Sequence, residues 1–182
     1  MAISAISLFS SFAQGNSFNI GINLGGGGAF SAYTRVRGLD GFVSRFTIPG
    51  LYLSYEHEVQ SNFTLGPYIG HTTTFFRNNN FDFNRVAYRN LWIGVKTVYY
   101  FDDLIGIEDK YDLYGTASAG VLNSFRVERS QTGQDNINSF LFRAPIIDLR
   151  AGARYHIKDE VSLFLEAGFG SALLIWGATI HL

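Results

Sequence analysis

Apolar and polar residues alternate with a period of two along most of this chain. Successive side chains of a β-strand point to opposite faces of the sheet, so the alternation predicts strands with one apolar face and one polar face. Turn residues separate the alternating stretches from one another. The pattern predicts eight strands, at about residues 17–25, 46–59, 62–77, 85–101, 112–127, 139–156, 160–170 and 172–182.

The apolar face of these strands carries no charged residue, as Leu91, Ile93 and Val95 illustrate. The opposite face has few charges and mixes glycine with large aromatic residues such as Trp92. A strand face in water is usually dense in Lys, Glu and Thr, whereas glycine beside large side chains suits a narrow barrel interior. We therefore predict an all-β fold, an eight-stranded antiparallel up-and-down transmembrane β-barrel whose apolar face points outward.

The connections between the predicted strands alternate in length. Residues 60–62, 102–111 and 158–160 form the turns at one end, and residues 25–45, 77–85 and 128–138 form longer loops at the other. Only the turn at residues 170–171 departs from the alternation. In outer-membrane barrels the short turns are periplasmic and the long loops extracellular. An even number of strands then places both termini in the periplasm.

Composition is consistent with this prediction and excludes several other classes of protein. No apolar run reaches the ~18 residues of a transmembrane helix. The net charge of -1 gives no indication of a nucleic-acid partner, and the absence of cysteine excludes a disulfide scaffold and a thiolate zinc site. Residues 1–14 have the apolar stretch of a secretory signal but lack its basic start. We interpret 1–14 as a signal-peptide remnant and 15–182 as the barrel.

Several segments of the chain resemble the small outer-membrane β-barrel proteins of Gram-negative bacteria, the group that includes the OmpA-, OmpX- and opacity-type barrels. The similar segments are residues 48–59, 91–101, 148–157, 161–170 and 172–182. The resemblance implies a bacterial outer-membrane location, contact with outer-membrane lipid and lipopolysaccharide, and insertion by the barrel-assembly machinery. We expect a monomer.

The last predicted strand carries the apolar face that serves as the assembly signal in this group. Its outward residues are Leu174, Trp176, Ala178, Ile180 and Leu182. The resemblance is incomplete at the final position, because Leu182 stands where the group usually has Phe.

Six charged residues have inward parity. They are Glu56, Lys96, Asp148, Arg150, Arg154 and Glu166. A charge inside a narrow barrel must be paired or hydrogen-bonded, since an unpaired buried charge costs several kcal/mol. We predict that these side chains form ion pairs that close the lumen, with Arg150 and Glu166 paired across neighbouring strands. A gate or an ion path is the alternative interpretation.

Three arginines, Arg77, Arg89 and Arg143, have outward parity near the rim that the long loops form. The guanidinium group is well shaped to bind phosphate. These residues are therefore candidates for contact with lipopolysaccharide phosphates, and ordinary solvation at the rim is the alternative.

The sequence gives no indication of catalysis, of a metal site or of a cofactor. No Ser-His-acid set is evident, and the four histidines lack neighbouring donors at metal-binding spacing. His57 and His71 have outward parity, whereas His156 and His181 point inward near the periplasmic end. An enzyme that modifies lipid A would have to use His71, with Thr73 as its nearest hydroxyl.

Three functional hypotheses follow from these observations. The first is a non-catalytic outer-membrane barrel that acts through its extracellular loops in surface contact, adhesion or envelope support, with an unknown surface ligand. The second is a narrow channel for ions or small solutes. The third is a soluble lipocalin-like binder, which requires the apolar face to point inward. The solvent exposure of the two strand faces distinguishes the third hypothesis from the others.

Overall fold

The computed structural model describes residues 15–24, 42–78, 85–102, 106, 110–129 and 135–182. The strands in this part of the chain are β1 Ser17–Leu24, β2 Phe42–Ile48, β3 Gly50–Gln60, β4 Phe63–Asn78, β5 Arg85–Tyr100, β6 Tyr111–Arg129, β7 Asp135–Lys158, β8 Val161–Phe169 and β9 Leu174–His181. The proposed signal remnant at 1–14 lies outside the described residues. No α-helix in the described ranges is long and apolar enough to cross a membrane.

The strands form one closed antiparallel ring. β1 pairs with β3 on one side and with β9 on the other, and from β3 onward each strand pairs with the next. β2 and β3 both pair with β4. They are two segments of one strand, which is interrupted at Pro49 because proline lacks a backbone N–H. The two segments occupy one position in the ring, and the predicted eight-stranded barrel is confirmed.

Exposure confirms the predicted direction of the two faces. Ile93 and Leu165 are 53% and 50% exposed, whereas Lys96 and Glu166 are each 1% exposed. A soluble barrel would bury the apolar set instead, so the lipocalin-like hypothesis is wrong. An apolar exterior around a polar, filled interior is the arrangement of a barrel built for a bilayer. The protein is an eight-stranded transmembrane β-barrel of the outer-membrane type.

Glycines in the inward set make room for aromatic rings of the neighbouring strands. A Cβ atom added to Gly70 would collide with the indole of Trp92, and one added to Gly152 would collide with the ring of Tyr114. Trp92 and Tyr114 are 1% and 2% exposed. A large side chain on one strand packs over a glycine on the next, and such pairs fill the lumen with side chains, as the sequence pattern predicts.

The strands differ greatly in length, and the difference lies on the side of the long loops. The ladder between β7 and β8 ends where Leu149 faces Phe169, yet β7 begins at Asp135. β6 and β7 remain paired as far as Arg129 and Asp135. Residues 128–129 and 135–138, which the sequence analysis assigned to a loop, are therefore strand. Outside the bilayer both faces of a hairpin contact water, so the apolar alternation that identifies a strand is lost there.

At a second predicted loop, residues 25–45, the strand again extends further than the sequence analysis expected. β2 begins at Phe42, within the segment 25–45 that was expected to be a loop. β4 ends at Asn78 and β5 begins at Arg85, as expected, and residues 79–84 lie outside the described part of the chain. The tight turns after β3 and β7 lie at residues 61–62 and 159–160, within the predicted ranges.

Candidate functional site

The centre of the lumen is a hydrogen-bonded cluster of buried charges. Lys96 Nζ lies 2.6 Å from Glu166 Oε1 and 3.2 Å from Glu56 Oε1. Arg154 Nη2 lies 3.1 Å from Glu56 Oε2, and Arg154 Nη1 donates to the Tyr100 hydroxyl at 2.8 Å. Tyr100 in turn donates to Glu56 Oε2 at 3.0 Å. These side chains come from four strands, β3, β5, β7 and β8, so the cluster joins opposite walls of the barrel.

A second buried cluster lies closer to the end of the barrel at which β6 and β7 extend beyond β8. Asp148 accepts hydrogen bonds from the Ser118 hydroxyl at 2.8 Å and from the Tyr68 hydroxyl at 3.2 Å. Its Oδ2 atom lies 3.2 Å from Arg150 Nη2, which also donates to Ser171 Oγ at 2.8 Å. The backbone N–H of Ser171 donates to Asp148 Oδ1. The carboxylate therefore fixes the turn between β8 and β9 to the barrel wall.

All six inward charges of the sequence analysis are buried, but the expected pair between Arg150 and Glu166 is wrong. Glu166 lies opposite Gly152 in the ladder and binds Lys96, which reaches it across the lumen from β5. Arg150 binds Asp148, its neighbour on the same face of the same strand. A prediction limited to adjacent strands does not include contacts across the lumen, and these decide the pairing.

The end of the lumen beside the tight turns at residues 61–62 and 159–160 holds a cluster that the sequence analysis did not detect. Asp112 Oδ2 lies 2.9 Å from His156 Nε2 and 3.9 Å from Arg154 Nη1. The Ser162 hydroxyl oxygen lies 2.8 Å from His156 Nδ1 and 2.8 Å from His181 Nε2. The two imidazole rings are stacked, with their centroids 5.3 Å apart.

Asp112, His156, Ser162 and His181 form this cluster, which we call the periplasmic cluster after the orientation that the sequence analysis expects. Each comes from a different strand of the consecutive set β6, β7, β8 and β9. All four residues have inward parity at strand ends on the same side of the barrel, and this shared position could have predicted the cluster. The sequence analysis missed it because it judged each histidine by the spacing of donors along the chain, whereas strand register brings these residues together.

The order Asp112, His156, Ser162 is that of a general-base relay. Ser162 is 0% exposed, however, and pairs in the ladder with both β7 and β9. A substrate carbonyl cannot reach the hydroxyl in this conformation, and the ladder engages the backbone N–H groups that an oxyanion would need. Among the described residues no group of three or more His, Cys, Asp or Glu is arranged to hold a metal ion. The four side chains form a hydrogen-bonded chain along adjacent strands of the wall.

Arg89 and Arg143 lie on the half of the outer wall nearer the long hairpin of β6 and β7. Arg89 on β5 and Arg143 on β7 are exposed and lie on either side of β6, opposite Phe125 and Asn123 respectively. Arg143 Nε donates to Asn123 Oδ1 at 3.0 Å. The side chain of Arg77 lies outside the described part of the chain. The structure thus brings two of the three predicted arginines to the same patch of the outer wall.

The closing strand has the orientation that its pattern predicts. Trp176 and Leu182 are 36% and 76% exposed, whereas the intervening Ile175 and Thr179 are fully buried. β9 pairs with β1 and with β8, so this strand completes the ring. The apolar side of the strand faces the bilayer along its whole length. Its members are Leu174, Trp176, Ala178, Ile180 and Leu182.

No protein-family model and no curated protein matches the chain. Among solved structures the chain is similar to Ail, the attachment invasion locus protein of Yersinia pestis. One Ail structure shares 12% identity at a TM-score of 0.44, covers 91% of this chain and 95% of its own, and contains the heparin analogue sucrose octasulfate. A second shares 14% identity at a TM-score of 0.45 and covers 91% and 94% of the two chains. Likeness at this level concerns the fold alone.

Proposed function

We propose that the protein is a non-catalytic bacterial outer-membrane barrel that contacts other surfaces through the sheet that projects beyond its rim. The observation that carries this proposal is the length of β7. Residues 135–148 of β7 continue past the last pairing with β8, at Leu149 and Phe169. At ~3.3 Å per residue this is more than 40 Å of strand. Part of it spans the outer leaflet, and the remainder projects from the membrane together with β6.

The projecting hairpin has an edge that supports a contact role. On one side β7 is paired with β6 as far as Asp135. On the other side residues 135–148 have no strand partner among the described residues. Such an edge presents a row of backbone N–H and C=O groups to which an extended segment of another molecule can add.

The filled lumen favours this role over transport. The charges of the lumen bind one another, and aromatic rings occupy the remaining cross-section of an eight-stranded barrel. A narrow channel would need a continuous path through Tyr52, Trp92 and Phe164, each 4% exposed or less. The surface of the protein is therefore the better candidate for its function.

We further propose that the patch of Arg89 and Arg143 contacts lipopolysaccharide phosphates, with both termini in the periplasm. Two exposed guanidinium groups on the outer wall match the charge and geometry of phosphate. They lie toward the end of the barrel from which the long hairpin projects. Contact with phosphate there would hold that end at the bacterial surface.

The proposal is tested by shortening the hairpin. Arg126 and Asn138 face each other in the ladder, so an Asn-Gly turn can replace residues 127–137. Bacteria that display the wild type are counted on glass, on heparin-coated glass and on a lawn of the same strain. The expected result is attachment above background on at least one surface, lost in the shortened variant.

The matched control replaces the periplasmic turn at residues 159–160 with Asn-Gly and should attach like the wild type. Folding of all three proteins is followed by heat-modifiable gel mobility. Equal attachment by a folded shortened variant contradicts the proposal. Background attachment of the wild type on all three surfaces contradicts it as well.

A further inference from the structure

The turn between β8 and β9, residues 170–173, differs from the tight turns at the other end of the barrel. The turn between β7 and β8 consists of Asp159 and Glu160, which are charged and exposed. The turn between β8 and β9 has no charged residue, and its one polar side chain, Ser171, is 3% exposed. The side chain that it exposes is Leu173, at 54%. This turn presents an apolar surface where the other presents a polar one.

Two large apolar side chains beside the turn are also unusually exposed. Phe169 at the end of β8 is 78% exposed and Ile147 on β7 is 72% exposed, whereas Leu165 in the middle of β8 is 50% exposed. The difference arises because β7 has no described strand partner on this side beyond the last pair with β8. We call Ile147, Phe169 and Leu173 the turn collar. Such a surface is disfavoured in water and is favoured in lipid.

The hairpin of β8 and β9 is only as tall as the apolar layer of a membrane. β8 runs from Val161 to Phe169, which is nine residues. At ~3.3 Å per residue and a tilt of ~40° this strand rises roughly 20–23 Å, and the apolar band of such barrels is about 25 Å tall. The charged residues Asp159 and Glu160 must remain outside the hydrocarbon. Starting from them, β8 has no length left to cross the opposite head-group layer.

The polar groups of the turn have partners inside the protein, which a turn in hydrocarbon requires. The backbone N–H of Ser171 donates to Asp148 Oδ1. The Ser171 hydroxyl donates to Asp148 Oδ2 at 3.2 Å and accepts from Arg150 Nη2 at 2.8 Å. The backbone N–H of Leu173 donates to the carbonyl oxygen of Leu24 at 3.1 Å. Asp148 and Arg150 thus supply the hydrogen bonds that water supplies to an exposed turn.

We propose that the turn between β8 and β9 lies within the membrane and that its collar is a lipid-binding surface. The acyl chains of the leaflet on the side of the long hairpin cover Ile147, Phe169 and Leu173. The wall of the barrel is therefore lower along β8 and β9 than along β6 and β7. This surface is separate from the patch of Arg89 and Arg143, and its contact with lipid does not depend on attachment through the hairpin.

The lipids that cover the turn also meet the edge of β7. Residues 135–148 have no strand partner on this side among the described residues. Unpaired backbone groups cannot lie in hydrocarbon. The open edge therefore begins where the hydrocarbon ends, just beyond Leu149, and the head groups of the same lipids can hydrogen-bond it. Tails on the turn collar and head groups on the edge of β7 together account for both surfaces.

Nitroxide labels on single cysteines test the proposal, because the chain contains no cysteine. Leu173→Cys and Phe169→Cys are labelled in the full chain and folded into vesicles of dioleoyl phosphatidylcholine. The reference sites are Asp159→Cys in the exposed charged turn and Leu165→Cys on the wall. Power saturation of the nitroxide signal measures collisions with oxygen, which concentrates in hydrocarbon, and with a neutral nickel chelate, which remains in water. Heat-modifiable gel mobility confirms that each variant is folded.

Nickel collisions at residues 169 and 173 should be at least about tenfold less frequent than at residue 159, because the polar chelate is excluded from hydrocarbon. Oxygen collisions at both residues should be as frequent as at residue 165. A smaller reduction of the nickel collisions places the turn outside the hydrocarbon and overturns the proposal. Infrequent collisions with both reagents show that protein covers the turn, and this result overturns the proposal as well.

Asp148→Ala, combined with the label at residue 173, tests how the turn is kept in the membrane. Without the carboxylate, the N–H of Ser171 loses its acceptor and the turn should move toward water, so nickel collisions should rise at least about threefold. The control Asp112→Ala removes a buried carboxylate at the other end of the lumen and should change nothing. Unchanged collisions in a folded Asp148→Ala variant contradict the role of Asp148. If this variant does not fold, the labels in the otherwise unchanged chain decide the proposal alone.

Discussion

Replacement of Lys96 by methionine should show whether the lumen is dry. The ammonium group is 1% exposed and lies between Glu166 Oε1, at 2.6 Å, and Glu56 Oε1, at 3.2 Å. Methionine keeps most of the volume of the side chain and removes the charge. Glu56 retains Arg154, but among the described residues Glu166 then retains only the Tyr114 hydroxyl, at 3.4 Å.

The expected loss follows from the state of Glu166 after the substitution. Removal of one partner of a buried ion pair typically costs ~3–5 kcal/mol, because the other charge remains enclosed and uncompensated. A lumen filled with bulk water would screen the same charge and reduce the loss to ~1 kcal/mol or less. The double variant Lys96→Met, Glu166→Gln removes the stranded charge and should recover most of the stability.

The assay is reversible urea unfolding in lipid vesicles, followed by tryptophan fluorescence and by heat-modifiable gel mobility. Trp92 reports on the lumen and Trp176 on the outer wall. A loss near 1 kcal/mol for Lys96→Met, or a double variant no more stable than the single one, would refute a dry, ion-paired lumen.

Three further measurements test the parity, the packing and the closure of the barrel. Leu165→Arg places a charge in the hydrocarbon and should cost ~2–4 kcal/mol, whereas Val59→Arg, exposed beside the turn at residues 61–62, should cost ~0–1 kcal/mol. Equal folded fractions of the two variants would contradict the assigned parity. The Cβ added by Gly152→Ala collides with the Tyr114 ring, so this variant should fold poorly, whereas the Cβ added by Gly115→Ala meets its nearest atom at 3.3 Å and should be tolerated. Similar stability of the two variants would contradict the packing of the lumen. Large steady currents of the wild type in planar bilayers would contradict a closed lumen and favour a channel.

The strand positions and the direction of each face were predictable because the bilayer imposes them locally. Residues 91–99 face lipid and lumen in alternation, and the contrast between the exposed Leu91, Ile93 and Val95 and the buried Lys96 was enough to assign the two faces, although the buried Val98 is apolar. The same reasoning fails beyond the membrane. Residues 135–138 belong to β7 although the sequence analysis assigned them to a loop, because water on both faces removes the contrast between alternate positions.

The partners inside the lumen were not predictable in the same way. Glu166 and Lys96 lie on β8 and β5, which are not neighbours in the ring, and they meet because long side chains cross a narrow interior. The distance between two walls depends on strand tilt and register, which polarity does not report. Asp112 was omitted from the inward charges although it lies on the inward face. It was assigned to a strand end without regard to its neighbours His156 and Arg154.

The lumen charges also affect which register the barrel can adopt. A slip of β8 by one residue would turn Glu166 and Ser162 toward the hydrocarbon and bring Leu165 and Leu163 into the lumen. A carboxylate in the bilayer is strongly disfavoured, and Lys96 would then lose its closest partner. If the lumen were lined by apolar residues instead, the slipped and native registers would expose similar surfaces to lipid. The buried ion pairs therefore discriminate between registers even where their net contribution to stability is small.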